Sequence, residues 1–334
     1  MIKKAMKVFA NDTEILSALN ASVNRDNKKY LAMYSSQVGG IITNPALMNI
    51  PLDDHMVHRG HGVFESCYVH NRKIFNLHKH ILRLFRSANY AKITPPVDET
   101  DLEKMLIDFA KFIKVPDFGL KVYLSSGGGN FGITPVPNNS QLYFVAIDGA
   151  YETKREIGIK EYVVDPVKSD ILVNLKSTNY LLNALAAMQS SEQGGYMGIQ
   201  ADREGYLLEA PVANIAIVSA EGEFLVPPFT KTLAGTTVIK AMKYLCEEEE
   251  GKKLVSTVHH ANIHRDDAYN AKEVMIIGGD KCVPVTHLDN VQIGTGERGI
   301  VATALQKFLY RDFVQGDTTD LDVDDEGEDA NEIQ

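Results

Sequence analysis

One stretch of this chain carries no apolar period of either kind. From Asp148 to Glu156 the residues read Asp-Gly-Ala-Tyr-Glu-Thr-Lys-Arg-Glu, while strand or helix patterning runs up to the stretch and resumes after it. A break of that kind marks a domain linker. A chain of 334 residues is long enough to build a core on each side of it. The expected division is a small N-terminal domain over 1–148, a linker over 149–157, a larger domain over 158–314 and a tail over 315–334.

Each half mixes strands and helices. Val63–Val69 and Ile74–Leu77 flank His70-Asn71-Arg72-Lys73 as two short strands around a turn. Ile81, Leu84, Phe85, Ala88 and Ala91 then fall at helical spacing, and Pro95-Pro96 ends that helix. A second helix over Thr100–Lys114 carries Leu102, Leu106 and Phe109, and strands follow at Leu120–Leu124 and Leu142–Ile147. Beyond the break, a strand near Ile159–Val164 precedes a helix over Asn179–Glu192. Short strands then dominate, with turn signals at Asp202–Gly205 and Ala220–Gly222 and further helices at Thr236–Glu249 and Glu297–Asp312. The elements do not alternate regularly. The expected class is α+β, a smaller N-terminal α/β domain beside a larger mixed one, rather than a doubly wound sheet.

Charge removes several function classes. The formal net charge is −10, but Gln315–Gln334 holds nine acids and no Lys or Arg, which leaves the rest of the chain near −1. That tail lacks the apolar residues needed to offset ordering entropy and is expected to be disordered. The near-neutral body offers no electrostatic footprint for nucleic acid. No run approaches the roughly 18 to 20 uninterrupted apolar residues of a membrane helix, so no membrane partner is expected. Cys67, Cys246 and Cys282 lie far apart and form no C-x-x-C pair, which fits a reducing compartment. Met1–Ala10 has neither signal-peptide nor transit patterning, and a cytoplasmic location is expected.

Two motifs invite a chemistry and fail its geometric requirements. Gly127-Gly128-Gly129-Asn130-Phe131-Gly132 matches G-x-G-x-x-G, but a dinucleotide site needs a helix to begin there, and Pro135 and Pro137 follow with no amphipathic period. The expectation is a loop. His55, His58 and His61 are spaced by three beside Asp53, Asp54 and Glu65. Arg59-Gly60 and Gly62 interrupt any helix that would cluster them, and an arginine among ligands repels a cation. A polar turn is expected, with no metal.

Three others hold together. Lys176, in Asn174-Leu175-Lys176-Ser177-Thr178-Asn179-Tyr180, sits between an apolar stretch and a helix start. Partial burial there disfavours its charge, the condition for a lysine that must act as an amine. Glu209, in Glu209-Ala210-Pro211-Val212-Ala213-Asn214, ends a strand-like stretch at a turn. Leu233-Ala234-Gly235-Thr236-Thr237 delivers backbone amides and two hydroxyls at a helix N-terminus, which suits an anion. Taken singly, these are also a snorkelling lysine, a solvated glutamate and a threonine N-cap.

In this order, and with His80-Ile81-Leu82-Arg83-Leu84 upstream, the motifs resemble the class IV, or fold type IV, pyridoxal-phosphate enzymes. That family includes branched-chain aminotransferases, D-amino acid aminotransferases and aminodeoxychorismate lyases. Ile50-Pro51-Leu52-Asp53-Asp54-His55-Met56-Val57-His58-Arg59-Gly60-His61-Gly62-Val63-Phe64 looks like its plant-type D-amino acid aminotransferase-like branch, and the resemblance covers residues 30–314. It implies Lys176 as the Schiff-base lysine, Glu209 as the partner of the pyridine nitrogen and Arg83 as a phosphate-binding arginine. It further implies Tyr180 against the cofactor's phenolic oxygen and Thr236 and Thr237 as the phosphate turn. The implied cofactor is pyridoxal 5′-phosphate, the implied assembly a homodimer with the cofactor between the two domains of each subunit. The implied reaction moves an amino group from an amino acid of branched-chain or D type to a 2-oxo acid. Pyruvate elimination by a 4-amino-4-deoxychorismate lyase and a pseudoenzyme or binding protein on the same fold are the alternatives.

Departures from the family pattern are specific. Pro211 stands where a small residue is usual, Ala216 where an aromatic is, and Val238 where the phosphate turn ends in Arg or Lys. Gly278-Gly279 replaces a later phosphate-binding hydroxyl. The arginine and histidine with which bacterial D-amino acid enzymes hold the substrate carboxylate are missing from Ser125–Thr134.

Overall fold

The computed structural model describes residues 6–23, 29–149 and 157–322. Its first part contains α1 (Asp12–Ser22), β1 (Tyr30–Ser35), β2 (Gly40–Ile42), α2 (His55–Arg59), β3 (Gly62–His70), β4 (Lys73–Phe75), α3 (Leu77–Tyr90), α4 (Glu99–Phe112), β5 (Phe118–Ser125) and β6 (Gln141–Ile147). Its second part contains β7 (Ile159–Glu161), β8 (Val163–Val164), α5 (Asp170–Val173), α6 (Leu181–Glu192), β9 (Ile199–Gln200), β10 (Glu209–Ala210), β11 (Ala213–Val218) and β12 (Phe224–Val226). The second part continues with α7 (Thr236–Glu247), β13 (Val258–His260), α8 (Arg265–Tyr269), β14 (Glu273–Gly278), β15 (Lys281–Leu288), β16 (Val291–Gln292) and α9 (Ile300–Gln315). β17 (Thr318–Asp320) follows. The α+β reading therefore holds. The predicted linker lies almost wholly outside the described residues.

The small-domain sheet has the order β17-β4-β3-β5-β6-β1-β2, and every pairing in it is antiparallel. Strand alternation decides what each face does. On β3, Val63, Glu65, Cys67 and Val69 are buried while Phe64, Ser66 and Tyr68 are half-buried. The apolar members of the first set, with Leu120, Val122 and Leu124 of β5, meet Ile81, Leu84 and Leu106 of α3 and α4 in one core. Each such side chain contributes about 1.5–3 kcal/mol when fully buried. The second set, with Lys121 opposite Ser66 in the β3–β5 register, faces the other way and becomes a wall of the functional cavity.

The large-domain sheet runs β13-β12-β11-β14-β15-β16, with β10 added to β11 and β7 to β15. Its central strands are buried on both faces, so they read as unbroken apolar runs rather than alternations. Ile215, Ile217 and Ile276 point into one core, while Ala216, Val218 and Ile277 point into a second one built with α7 and α9. The single strand expected near Ile159–Val164 divides: β7 joins this sheet and β8 pairs separately with β9.

Two expectations need correction, and one open alternative is decided. The tail does not begin at Gln315. α9 ends there, and β17 pairs with β4 while Leu321, 3% exposed, enters the small-domain core. The acids at 317, 320 and 322 hide that apolar residue and its neighbouring threonines in a window-averaged charge. Residues 323–334 lie outside the described residues. The histidine run is helical rather than a turn: Asp54 accepts the Met56 N–H as N-cap, and Gly60 closes α2 in the left-handed region at φ 66°. Gly60 ends the helix instead of preventing it. Finally, the threonines of Gly235-Thr236-Thr237 do not cap α7: its N-cap is Gly235, and no side chain fills that role.

The glycine-rich segment is a loop, as expected. Gly127 has φ +88°, and a Cβ there would lie 1.7 Å from the Asn139 carbonyl oxygen. The glycine serves a close backbone approach.

Candidate active site

A cavity of about 570 Å³ lies between the small-domain sheet and the large domain. Arg83, Lys176, Tyr180, Glu209, Thr236 and Thr237, the six residues singled out from sequence, all line it. They come from α3, the segment after α5, the first residue of β10 and the start of α7, and no local rule brings these elements together.

Lys176 is held by its own backbone. Its carbonyl accepts the Phe64 N–H at 2.9 Å, Ser177 bridges to Val63, and the Thr178 N–H donates to the Gly62 carbonyl at 2.9 Å. The segment is thus tied to the start of β3. Its Nζ lies 4.5 Å from the Phe64 ring centroid. Burial lowers the ammonium pKa from 10.5 to about 8; nearby Glu65 opposes the shift, while Arg83, Lys121 and Lys168 add to it. The amine form is therefore accessible close to neutral pH.

Glu209 is paired with Asn214 across the tight β10–β11 hairpin. Its Oε1 accepts Lys168 Nζ at 2.6 Å and its Oε2 accepts the Leu233 N–H at 3.0 Å. Asn214 Nδ2 donates to the Leu233 carbonyl at 2.8 Å. The E-x-x-x-x-N spacing thus grips both sides of one residue, and that residue leads directly into Gly235-Thr236-Thr237. A Cβ on Gly235 would lie 2.0 Å from Asn214 Oδ1, so any larger residue there would push the Asn214 amide out of its place. Tyr180 stands against Phe64 edge to face at 5.1 Å, and burial pushes its phenol pKa up, with the Glu209 charge adding to the shift.

The α7 N-terminus carries first-turn amides without a side-chain cap, and Thr237 Oγ1 donates to the Gly279 carbonyl at 2.7 Å. A missing hydroxyl at Gly278 has a steric reason: a Cβ there would lie 2.7 Å from the Ala213 Cβ. Backbone packing at that point excludes any side chain.

Arg83 is less free than expected. Its Nε and Nη2 donate to the two oxygens of Glu65 at 2.6 and 2.7 Å, and His80 Nδ1 lies 2.8 Å from the same carboxylate. Burial alone would raise the Glu65 pKa, but the Arg83 charge and the Arg83 and His80 hydrogen bonds outweigh it and hold it at about 2. The pair leaves the Nη1 edge of the guanidinium outside the bond to Glu65.

Sequence reasoning missed Glu65 in this role, and also Lys168 and Lys121. Glu65 had a signal, a carboxylate among Val63, Cys67 and Val69 on the apolar face of an alternating strand, where an ionised group requires a partner. Lys168 had none, because its partner lies 41 residues away. Lys121 donates to Ser66 Oγ at 2.7 Å, and burial lowers its pKa. Of the histidine run, the His55 ring lies 4.8 Å from His58 and 5.7 Å from His61. Among the described residues no group of His, Cys, Asp and Glu is arranged to hold a metal ion.

Comparison with known proteins adds to this geometry. The family model for amino-transferase class IV matches residues 62–288. The D-amino-acid transaminase, chloroplastic, of Arabidopsis thaliana is 36% identical over 296 residues, 87% of this chain and 79% of that protein. A branched-chain-amino-acid aminotransferase of Pseudomonas aeruginosa is 28% identical over 276 residues, 79% of this chain and 87% of its own length. Among solved structures, the branched-chain aminotransferase of the thermophilic archaeon Thermoproteus uzoniensis with norvaline superposes with a TM-score of 0.78. It is 19% identical, over 87% of this chain and 99% of that one.

Proposed function

This chain belongs to the amino-transferase class IV family, and we propose that Lys176 is the residue through which it works and D-amino acids are its donors. It is a pyridoxal-phosphate-dependent transaminase. The observation that carries the proposal for Lys176 is a half-buried amine, its pKa lowered to about 8, in one cavity with a glutamate that already accepts from a cationic nitrogen.

The donor set fits the cofactor. Glu209 would offer a ring N–H the kind of contact it makes with Lys168. The uncapped amides of α7, the hydroxyls of Thr236 and Thr237 and the Nη1 edge of Arg83 would hold a phosphate. Tyr180 would take the phenolic oxygen. When bound, pyridoxal phosphate supplies an electron-accepting ring that stabilises charge at the substrate's α-carbon.

The protein's own part is proton movement and placement. Lys176 Nζ, as the free amine, would take the α-proton of the donor and hand it on to the bound cofactor, where the amino group stays as the donor leaves as a 2-oxo acid. One group acts as base and then acid, which requires a pKa near the working pH. The Phe64 ring covers the Nζ on one side, and Tyr180 packs edge to face against that ring. The relatives named above are transaminases, which favours transfer over pyruvate elimination.

The D series is preferred because the D-amino-acid transaminase is 36% identical to this chain over 296 residues, against 28% over 276 for the branched-chain enzyme. The proposed assembly is a homodimer. The cytoplasm is the proposed compartment, resting on three free cysteines; among the described residues no helix is long and apolar enough to cross a membrane. The deciding measurement is a half-reaction titration, in which protein loaded with pyridoxal phosphate is mixed with single D- and L-amino acids and its visible absorbance followed. D-amino acids are expected to convert it to the pyridoxamine form. Conversion by the L series alone would overturn the donor assignment, and conversion by neither would overturn transfer itself.

A further inference from the structure

After its last helix the chain crosses back to the domain it started from. α9 packs on the large-domain sheet, and its Asp312 pairs with Lys240 of α7. Beyond Gly316, β17 lies antiparallel to β4, with Thr318 opposite Phe75, Thr319 opposite Ile74 and Asp320 opposite Lys73. The Leu321 N–H donates to the Arg72 carbonyl at 3.0 Å and its side chain enters the small-domain core. Lys79–Asp317, Lys73–Asp320 and Arg72–Asp322 flank the crossing at 3.1, 3.4 and 2.5 Å. These ion pairs are well exposed and contribute little; the strand pairing and the buried leucine hold the segment.

The crossing meets the small domain where α3 begins. Asn76, the N-cap of α3, sits in the left-handed region at φ 53° and makes no side-chain cap hydrogen bond. Its N–H donates to the Asp317 carbonyl at 2.8 Å. One and two turns on, α3 delivers His80 and Arg83 to Glu65. At the same place Phe75, a wall of the cavity, lies between Phe313 of α9 at 5.0 Å and Lys240 of α7 at 4.5 Å. The segment is therefore joined to the start of α3, the helix of Arg83, and follows directly on α9, whose Asp312 holds α7, the helix of Thr236 and Thr237; all three residues line the cavity.

We infer that residues 316–322 are an interdomain strap that positions α3, and through it Arg83, against the N-terminus of α7. Leu321 and the Asp317 carbonyl are positioning groups: they touch neither cofactor nor substrate and act through the helix they anchor. The inference rests on reading this cavity as the pyridoxal phosphate site.

The test uses the full chain and compares cofactor affinity with stability. Equilibrium dialysis gives the Kd for pyridoxal phosphate, and calorimetry gives Tm, for the wild type, Leu321→Asp, Leu321→Met and Leu106→Ala. Leu106 lies on α4 in the same core, away from the strap. Leu321→Asp is expected to raise the Kd about tenfold or more, within the range of coupling between linked sites. Leu321→Met should keep the wild-type Kd, and Leu106→Ala should lower Tm while leaving the Kd unchanged. Should the aspartate variant not fold, Leu321→Ala reads the same comparison. A wild-type Kd in the strap variant, or an equal loss in Leu106→Ala, would sink the strap. A wild-type protein that does not bind pyridoxal phosphate would sink the functional reading instead.

Discussion

Replacing Lys176 by alanine is expected to lower transamination by about 10⁴-fold or more while raising the stability of the cofactor-free protein. The kinetic loss follows from removing the group proposed to move the α-proton, since positioned general acid–base catalysis alone supplies about 10²- to 10⁴-fold and the covalent hold it would have on the cofactor is lost with it. The gain in stability follows from linkage. A lysine whose pKa falls from 10.5 unfolded to about 8 folded binds its proton less tightly in the native state. Below pH 8 that difference disfavours folding by at most about 3 kcal/mol, and the cost fades as pH rises from 8 toward 10.5. Alanine removes the cost, so the gap in Tm between variant and wild type should shrink across that window. Steady-state turnover and calorimetry from pH 7 to 10 check both halves. Turnover near the wild-type rate would remove Lys176 from the mechanism; a variant less stable than wild type at pH 7 would refute the account of its burial.

Glu65→Gln, behind the cavity wall, is expected to be strongly destabilising for so conservative a change. Glu65 is 1% exposed and holds both Arg83 and His80. Glutamine keeps the shape but leaves the buried guanidinium without its counter-charge, a loss of about 3–5 kcal/mol when a buried pair is broken from one side. For a chain of this size that lowers Tm on the order of 10 °C. The pH dependence has a definite sign. A carboxylate whose pKa is about 2 folded and 4.5 unfolded contributes stability in full above pH 4.5 and loses it as pH falls toward 2. The difference between wild type and variant should therefore be constant from pH 5 to 7 and narrow below 4.5. A difference that stays the same down to pH 3 would mean that Arg83 does not depend on the Glu65 charge.

These two residues differ in how visible they are. Lys176 announces itself because its surroundings are local: an apolar stretch on one side and a helix start on the other are read within a few residues. Glu209 and Asn214 belong to one tight hairpin, and Gly235-Thr236-Thr237 to one helix start, so their spacing is also a matter of short-range geometry. Glu65 reads as a stray acid near histidines because its partners lie on the next helix, 15 and 18 residues on. The strap reads as disordered tail because its acids dominate a composition window, although Leu321 and the paired threonines are what place it.

The six residues singled out in the cavity lining owe their roles to the family resemblance; from the sequence alone came the α+β class, the break near Asp148 and most of the helices and strands. Those follow from period, turn chemistry and motif spacing, which act over a few residues and survive without a partner. Only the tertiary structure decided what each charge meets: Arg83 with Glu65, Lys168 with Glu209, and Arg72 with Asp322 across 250 positions. Only it decided that Gly278 is packed too tightly for a side chain and that burial brings the Lys176 pKa down to about 8. The reason is physical. Desolvation and ion pairing depend on distances between groups far apart in the chain, and a periodic pattern carries no information about those distances.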